Sequence, residues 1–287
     1  MVSQQRASFV REAMRKNWAA RMRHYDQHAA PNTARFAAVL LDLVRPQPGE
    51  RVLDVATGSG VVAVAAARLV GPSGSIVATD LVPEWEDLFA ERCAAAGVRN
   101  AAFRAMGAEA LDLPDETFDV ALCQFGLMFV PDPLQALREM RRVLRQGGRL
   151  GIVVWSTAER AVCVGLLDRL LAPLLAAVPP EAQLPTALSL SEPGLIERLI
   201  AEAGFGALNS ERRVLDYISE APEEAWRFRV IEGPPAVREA VARLHPDERR
   251  QLHHRFVAEL ERYRQGGEIR LPSEAIYVTA RKGSRSE

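Results

Sequence analysis

Lysine is almost missing from this chain. Of 36 basic residues only Lys16 and Lys282 are lysines, an arginine bias read as the mark of a GC-rich genome. Against 37 acidic residues the formal net charge is −1, so the basic excess that a nucleic-acid partner demands is absent and none is expected. Cysteine is scarce too: Cys93, Cys123 and Cys163 are odd in number, far apart and free of any CxxC spacing. That excludes a disulfide framework and a zinc site, leaves no metal expected, and points to a reducing, cytoplasmic setting. Long apolar runs are lacking as well. Ala161–Val178 is the most apolar stretch, but Asp168 and Arg169 interrupt it, so no membrane span is expected. Met1–Lys16 is polar and charged, unlike a signal peptide.

What is present starts at Arg51. The run Val52–Ala56 reads as a short buried strand, Gly58 and Gly60 as a tight turn, and Val61–Val70 as a helix. Glycine suits that turn because the backbone must take positive φ and leave room for a ligand with no Cβ in the way. The helix behind it aims free N–H groups over the loop. A second apolar strand, Ser75–Thr79, ends in Asp80, whose carboxylate is placed to accept hydrogen bonds from both hydroxyls of a ribose. The expectation is a nucleoside-containing cofactor at the carboxyl edge of a parallel sheet.

Gly58-Ser59-Gly60-Val61-Val62-Ala63 fits G-x-G-x-x-G/A, so an NAD(P)-dependent oxidoreductase is one reading. Three features favour S-adenosylmethionine (SAM). Asp54 lies inside the first strand, where a buried carboxylate needs partners; it can anchor the glycine loop and a cationic methionine moiety, whereas a pyrophosphate gains nothing from it. Residues 107–125 read as a polar loop, a turn and a further buried strand, Asp119–Cys123. No tyrosine is followed by lysine four residues on, so the catalytic pair of short-chain dehydrogenases is missing.

These residues carry a resemblance. Val52-Leu53-Asp54-Val55-Ala56-Thr57-Gly58-Ser59-Gly60 resembles the first motif of class I SAM-dependent methyltransferases of the ubiquinone/menaquinone-biosynthesis-like (type 11) group. Asp80 matches that family's ribose-binding acid. Ala108-Glu109-Ala110-Leu111, Pro114-Asp115 and Phe118-Asp119 resemble its next two motifs, and Leu137–Leu150 its following helix, glycine turn and fifth strand. The likeness runs from about residue 18 to 155 and returns near 191–217 and 269–282. It implies an α/β, Rossmann-like, seven-stranded, mostly parallel sheet with an antiparallel last strand, plus helical cap and insertions. It also implies SAM as cofactor and S-adenosylhomocysteine (SAH) as product. The cofactor-binding set would be Asp54, Thr57, Gly58, Ser59, Gly60, Asp80, Leu81, Gly107, Ala108, Glu109, Cys123 and Gln124. The family often has Asp where this chain has Gly107, so adenine recognition is expected to rest on Ala108, Glu109 and packing by Leu81.

The chain divides into an N-terminal helical cap (1–46), broken at Pro31, and a SAM-binding core (47–156). A helical insertion (157–190) is followed by a core helix, capped by Ser191, and a strand (191–219). A second helical insertion (220–267), the last strand (268–282) and a disordered tail (283–287) complete it. Asp132 and Pro133 mark a helix start. His24 and His28, spaced i, i+4 in the cap, are the candidate general bases, and Gln124, after the fourth strand, is the candidate for orienting acceptor or cofactor. Trp18, Tyr25, Phe125, Leu167 and Leu171 are expected to line the acceptor pocket. A homodimer contact is the alternative use of the apolar segment around Leu166, Leu170 and Leu174. His253-His254 reads as part of a solvated face. The function expected is methyl transfer by direct displacement to a small hydrophobic or aromatic metabolite, a quinone precursor or secondary metabolite. A SAM-binding regulatory protein without turnover is the further alternative.

Overall fold

The computed structural model describes residues 4–175 and 183–283. Five strands run parallel: β1 (Arg51–Val55), β2 (Ser75–Asp80), β3 (Ala101–Ala105), β4 (Phe118–Gln124) and β5 (Leu144–Trp155). The central strands β1, β2 and β4 are apolar and covered on both faces, as a parallel sheet requires, whereas the edge strand β3 is partly exposed. Between them lie α3 (Val61–Val70), α4 (Trp85–Ala96) and α5 (Pro133–Val143). The sheet order is β3-β2-β1-β4-β5-β8-β6, where β6 is Phe205–Ser219 and β8 is Glu268–Lys282. β8 is antiparallel to both β5 and β6, so the expected seven-stranded sheet with its antiparallel last strand is found. A two-residue strand, β7 (Arg264–Gln265), is added beside β8. The chain leaves β1 toward β2 and leaves β4 toward β5, in opposite directions along the sheet. A crevice therefore opens at the carboxyl ends of these two neighbours, the place where such sheets bind ligands.

Local signals explain most boundaries. The Asp132 carboxylate accepts from Gln135 N–H at 3.0 Å and Pro133 opens α5, as the sequence predicts. Other readings are corrected. The cap is not broken at Pro31: α1 (Gln4–His24) passes through a π turn (Tyr25–Ala29) into α2 (Ala30–Val44). Ala30 N–H bonds to Tyr25 O, widening the helix by one residue, and Pro31 follows directly behind this shift in the hydrogen-bond ladder, at the start of α2. Ser191 does not cap α7 (Leu195–Glu202). Pro193-Gly194 instead form a turn, with Leu195 N–H bonded to Glu192 O at 3.1 Å and Gly194 at φ 79°, and the helix starts behind it.

Between Ser219 and Ile269, which pair across β6 and β8, the chain inserts α8 (Pro222–Trp226), a π turn (Arg227–Ile231), α9 (Pro235–Ala242) and α10 (Pro246–Glu261). This insertion packs on α6 (Val162–Leu175), and Trp226 and Phe256 join the same apolar core as the sheet. The tail expected at 283–287, apart from Gly283, and part of the 157–190 insertion lie outside the described residues. Among the described residues no helix is long and apolar enough to cross a membrane.

Gly60 is the backbone position on which the β1–α3 turn rests. Its φ is +85°, and a Cβ there would lie 2.5 Å from the Phe89 ring. Gly60→Ala is expected to lower unfolding free energy by about 1–3 kcal/mol, the scale of strain from overpacking and forced positive φ. Urea denaturation checks it; an unchanged midpoint would contradict this placement of the turn.

Candidate active site

The crevice is assembled from the ends of four strands. In β1, Asp54 is 1% exposed, and its Oδ2 accepts from the Thr57 hydroxyl at 2.6 Å. Burial raises its pKa to about 7, opposed by the Thr57 hydrogen bond and a backbone bond from Ala63. At the end of β2, Asp80 accepts from Gly58 N–H at 2.9 Å and from Val82 N–H at 3.0 Å. Its pKa is pushed up to about 6, again by burial first. An ionised carboxylate has about four lone-pair sites, so two backbone bonds leave Asp80 capacity for a diol.

Ser59 lines the crevice, but its hydroxyl accepts from Arg92 at 3.1 Å, and Arg92 also pairs with Asp26 in the π turn. This ties the loop to the cap. Gly58, Thr57, Leu81, Gly107 and Ala108 all border the cavity. Glu109 does too, but its Oε1 pairs with Arg11 of α1 at 3.2 Å, so this acid serves first to hold the cap. Two expected contacts are corrected. Gly60 does not line the cavity because it faces Phe89, and Cys123 is fully buried with its thiol pushed up to about 12 by burial. Both shape the wall from behind.

Gln124 ends β4. Its Nε2 donates to Thr33 O at 3.0 Å, while its Oε1 is buried with no hydrogen-bond partner. A buried acceptor in that state is costly unless a ligand donor meets it. Phe125 follows with φ +54°, a left-handed backbone for a bulky residue, and stacks on Trp155 at 3.9 Å between ring centres. Such strain belongs at a site that the surroundings over-determine. Trp18 and Tyr25 of the cap meet edge to face at 5.4 Å, and Trp18 meets Phe129 at 5.2 Å.

A second, larger cavity of about 310 Å³ adjoins the first. The two share Met14, Trp18, Tyr25, Thr33, Phe125 and Phe129 as a common wall. Leu167 and Leu171 of α6 line the larger one, and Arg21, Asp168 and Arg229 line it too. Sequence reading missed these three and also Trp85, which is 2% exposed beneath Tyr25. Arg21 alone had a signal: it shares one helical face with Trp18 and Tyr25.

The histidines are corrected. His24 and His28 do share a face, with rings stacked at 4.1 Å, but neither borders either cavity. The π turn directs Tyr25 to the crevice, while His24 lies on the ring of Phe228 at 3.7 Å. Burial, and then His28, lowers the His24 pKa. His24, His28 and Glu220 offer ligand atoms within 4.8 Å of one another, yet Glu220 is already the ion-pair partner of Arg229 at 3.3 Å.

Sheet order, glycine turn and strand-end carboxylate define a Rossmann-like fold of the methyltransferase type. Residues 32–165 carry the sequence pattern of the ubiE/COQ5 methyltransferase family, which bears out the resemblance read from the motifs and the cofactor class, SAM, that it carries. The ubiquinone/menaquinone biosynthesis C-methyltransferase UbiE of Pasteurella multocida is 39% identical over 117 residues, 40% of this chain and 44% of that one. An uncharacterised protein of Mycobacterium bovis is 37% identical over 125 residues, 44% of this chain and 42% of that one. The chain thus spans less than half the length of these relatives. The crystal structure of the YcgJ protein from Bacillus subtilis shares the fold, with a TM-score of 0.57 at 21% identity, covering 86% of this chain and 98% of that one.

For Asp54 the folded-state pKa of about 7 lies above its ordinary 3.8. Its favourable contribution is therefore full below about pH 4 and is lost as pH rises through 7. In protein without ligand, the stability of Asp54→Asn relative to wild type is expected to climb between pH 5 and pH 8. Melting curves across that range check it; a difference that ignores pH would refute the buried, proton-hungry carboxylate.

Proposed function

We propose that the protein is a SAM-dependent methyltransferase whose acceptor is a small, largely apolar molecule held in the larger cavity. The observation that carries this reading is the shared aromatic wall: a cofactor crevice and an apolar chamber meet at Phe125, Phe129, Trp18 and Tyr25. Chambers of this size and lining suit a drug-sized apolar molecule. The cofactor, when bound, supplies the activated methyl carbon, so the protein's work is alignment and exclusion of water.

The residues present fit that cofactor. Asp80 would take the ribose hydroxyls, and the glycine turn would leave room for the amino-acid tail. The unpartnered Gln124 Oε1 would accept from its ammonium. Asp54 would add negative charge beneath the loop, favouring a cationic tail over a pyrophosphate. Leu81, Ala108 and the Gly107 backbone would flank the adenine, with no acid at 107. His24 and His28 are set aside as bases. Where the acceptor must lose a proton, Asp168 is the carboxylate of the chamber wall, and burial raises its proton affinity.

Asp80→Ala should weaken SAM binding by at least about 1.5 kcal/mol, roughly tenfold in Kd, the scale of charge-assisted hydrogen bonds. Calorimetry on the folded variant checks this, and wild-type affinity would contradict it. In the same preparation SAM, and not NADH, should raise the melting temperature of the wild-type protein; the reverse would favour an oxidoreductase. Release of SAH with a phenol, amine or quinol acceptor separates an enzyme from a SAM-binding protein without turnover.

A further inference from the structure

The larger cavity contains a charge that its apolar wall does not account for. Arg21 projects from α1 into it, its Nε buried without a hydrogen-bond partner, its guanidinium over the Phe228 ring at 4.4 Å. Among the described residues it forms no ion pair within 4 Å. Burial first, and then Arg229 and Arg238, weaken its hold on its proton, opposed by Glu232. Glu232 already pairs with Arg227 at 3.3 Å. Arg229, in the same wall, is matched by Glu220 and donates to Cys163 O. Among the described residues, Asp168 on α6 is the other charged lining residue, and it forms no ion pair with Arg21 within 4 Å. Among these residues the wall around Arg21 therefore carries surplus positive charge. An unmatched guanidinium with its Nε out of water is costly, and stacking on one phenyl ring offsets only part of that cost.

We infer that the methyl acceptor bears an anionic group, a carboxylate or a phosphate monoester, which pairs with Arg21 while its apolar body lies against Leu167, Leu171 and Met128. This rests on the larger cavity being the acceptor chamber. The planar fork of Arg21 suits either anion bidentately. The anion anchors one end of the acceptor in the chamber it shares with the aromatic wall, leaving the other end to face the crevice.

The test uses four probes of equal chain length, decanoate, decyl phosphate, decanol and decylamine, with binding read by calorimetry on the full chain. At least one of the two anions is expected to bind about tenfold or more tightly than decanol, the scale of a hydrogen bond to a charged group, and decylamine most weakly. The stronger of the two identifies the head group. Arg21→Gln should bring the anions to within about twofold of decanol while leaving decanol unchanged, and Arg21→Lys should restore part of the preference. Because Arg21 is unmatched, Arg21→Gln should melt no lower than wild type; a purely structural arginine would lower the melting temperature and leave the preference intact. Equal binding of anions and decanol, or a preference that survives Arg21→Gln, overturns the inference. SAM calorimetry on the same sample reads the cofactor assignment by itself. Bound SAM with no anion preference would defeat only the acceptor inference. An anion preference without SAM binding would defeat the methyltransferase reading and keep the anion site.

Discussion

The Asp80 carboxylate joins two pieces of backbone that the sheet order brings side by side. One oxygen receives the Gly58 N–H of the β1–α3 turn, and the other receives the Val82 N–H of its own strand's exit. With both bonds made, the glycine turn is fixed over the switch point between β1 and β4, and the crevice has a floor. Asp54 supports the same turn from below through Thr57. Two buried carboxylates that each favour a proton sit a few residues from one another in space, and Asp80 is among the groups that raise the Asp54 pKa. A nearby cation would lower the cost of ionising both.

The roof depends on different forces. α1 is held down by Arg11 on Glu109, by the Arg92–Asp26–Ser59 network and by edge-to-face aromatic contacts. The aromatic pairs contribute about 0.5–1.5 kcal/mol each, and they also form the wall between the two cavities. The cap is tied to the glycine loop and to residues 107–109, and its Trp18 and Tyr25, with Phe125, stand between the two cavities.

Much of the crevice was legible because it is local. A strand, a glycine turn and a helix occupy residues 51–70 in succession, and Asp80 closes the next strand, so periodicity and turn chemistry locate them together. The limits appear where structure depends on distant partners. The i, i+4 spacing of His24 and His28 fixed their common face but not its direction, which the π turn sets by adding one residue to the helical repeat. Cys123 has the same strand-end position as Gln124 and the opposite orientation, since successive side chains on a strand alternate. Ser191 looked like a cap, yet the Pro193-Gly194 turn took precedence. Arg21 lies over Phe228 and lines one cavity with Arg229 because the insertion after β6 folds back on α1, a proximity of residues far apart in the chain and invisible to local pattern. Gly107 was legible as a departure, but the engagement of Glu109 by Arg11 was not.

The most direct measurement is a crystal structure of the protein with SAH. The ribose hydroxyls are expected on Asp80, the adenine between Leu81 and the 107–108 backbone, and the methionine ammonium within hydrogen-bond reach of Gln124 Oε1. SAH bound elsewhere, or in the crevice with its ribose turned away from Asp80, would contradict this placement.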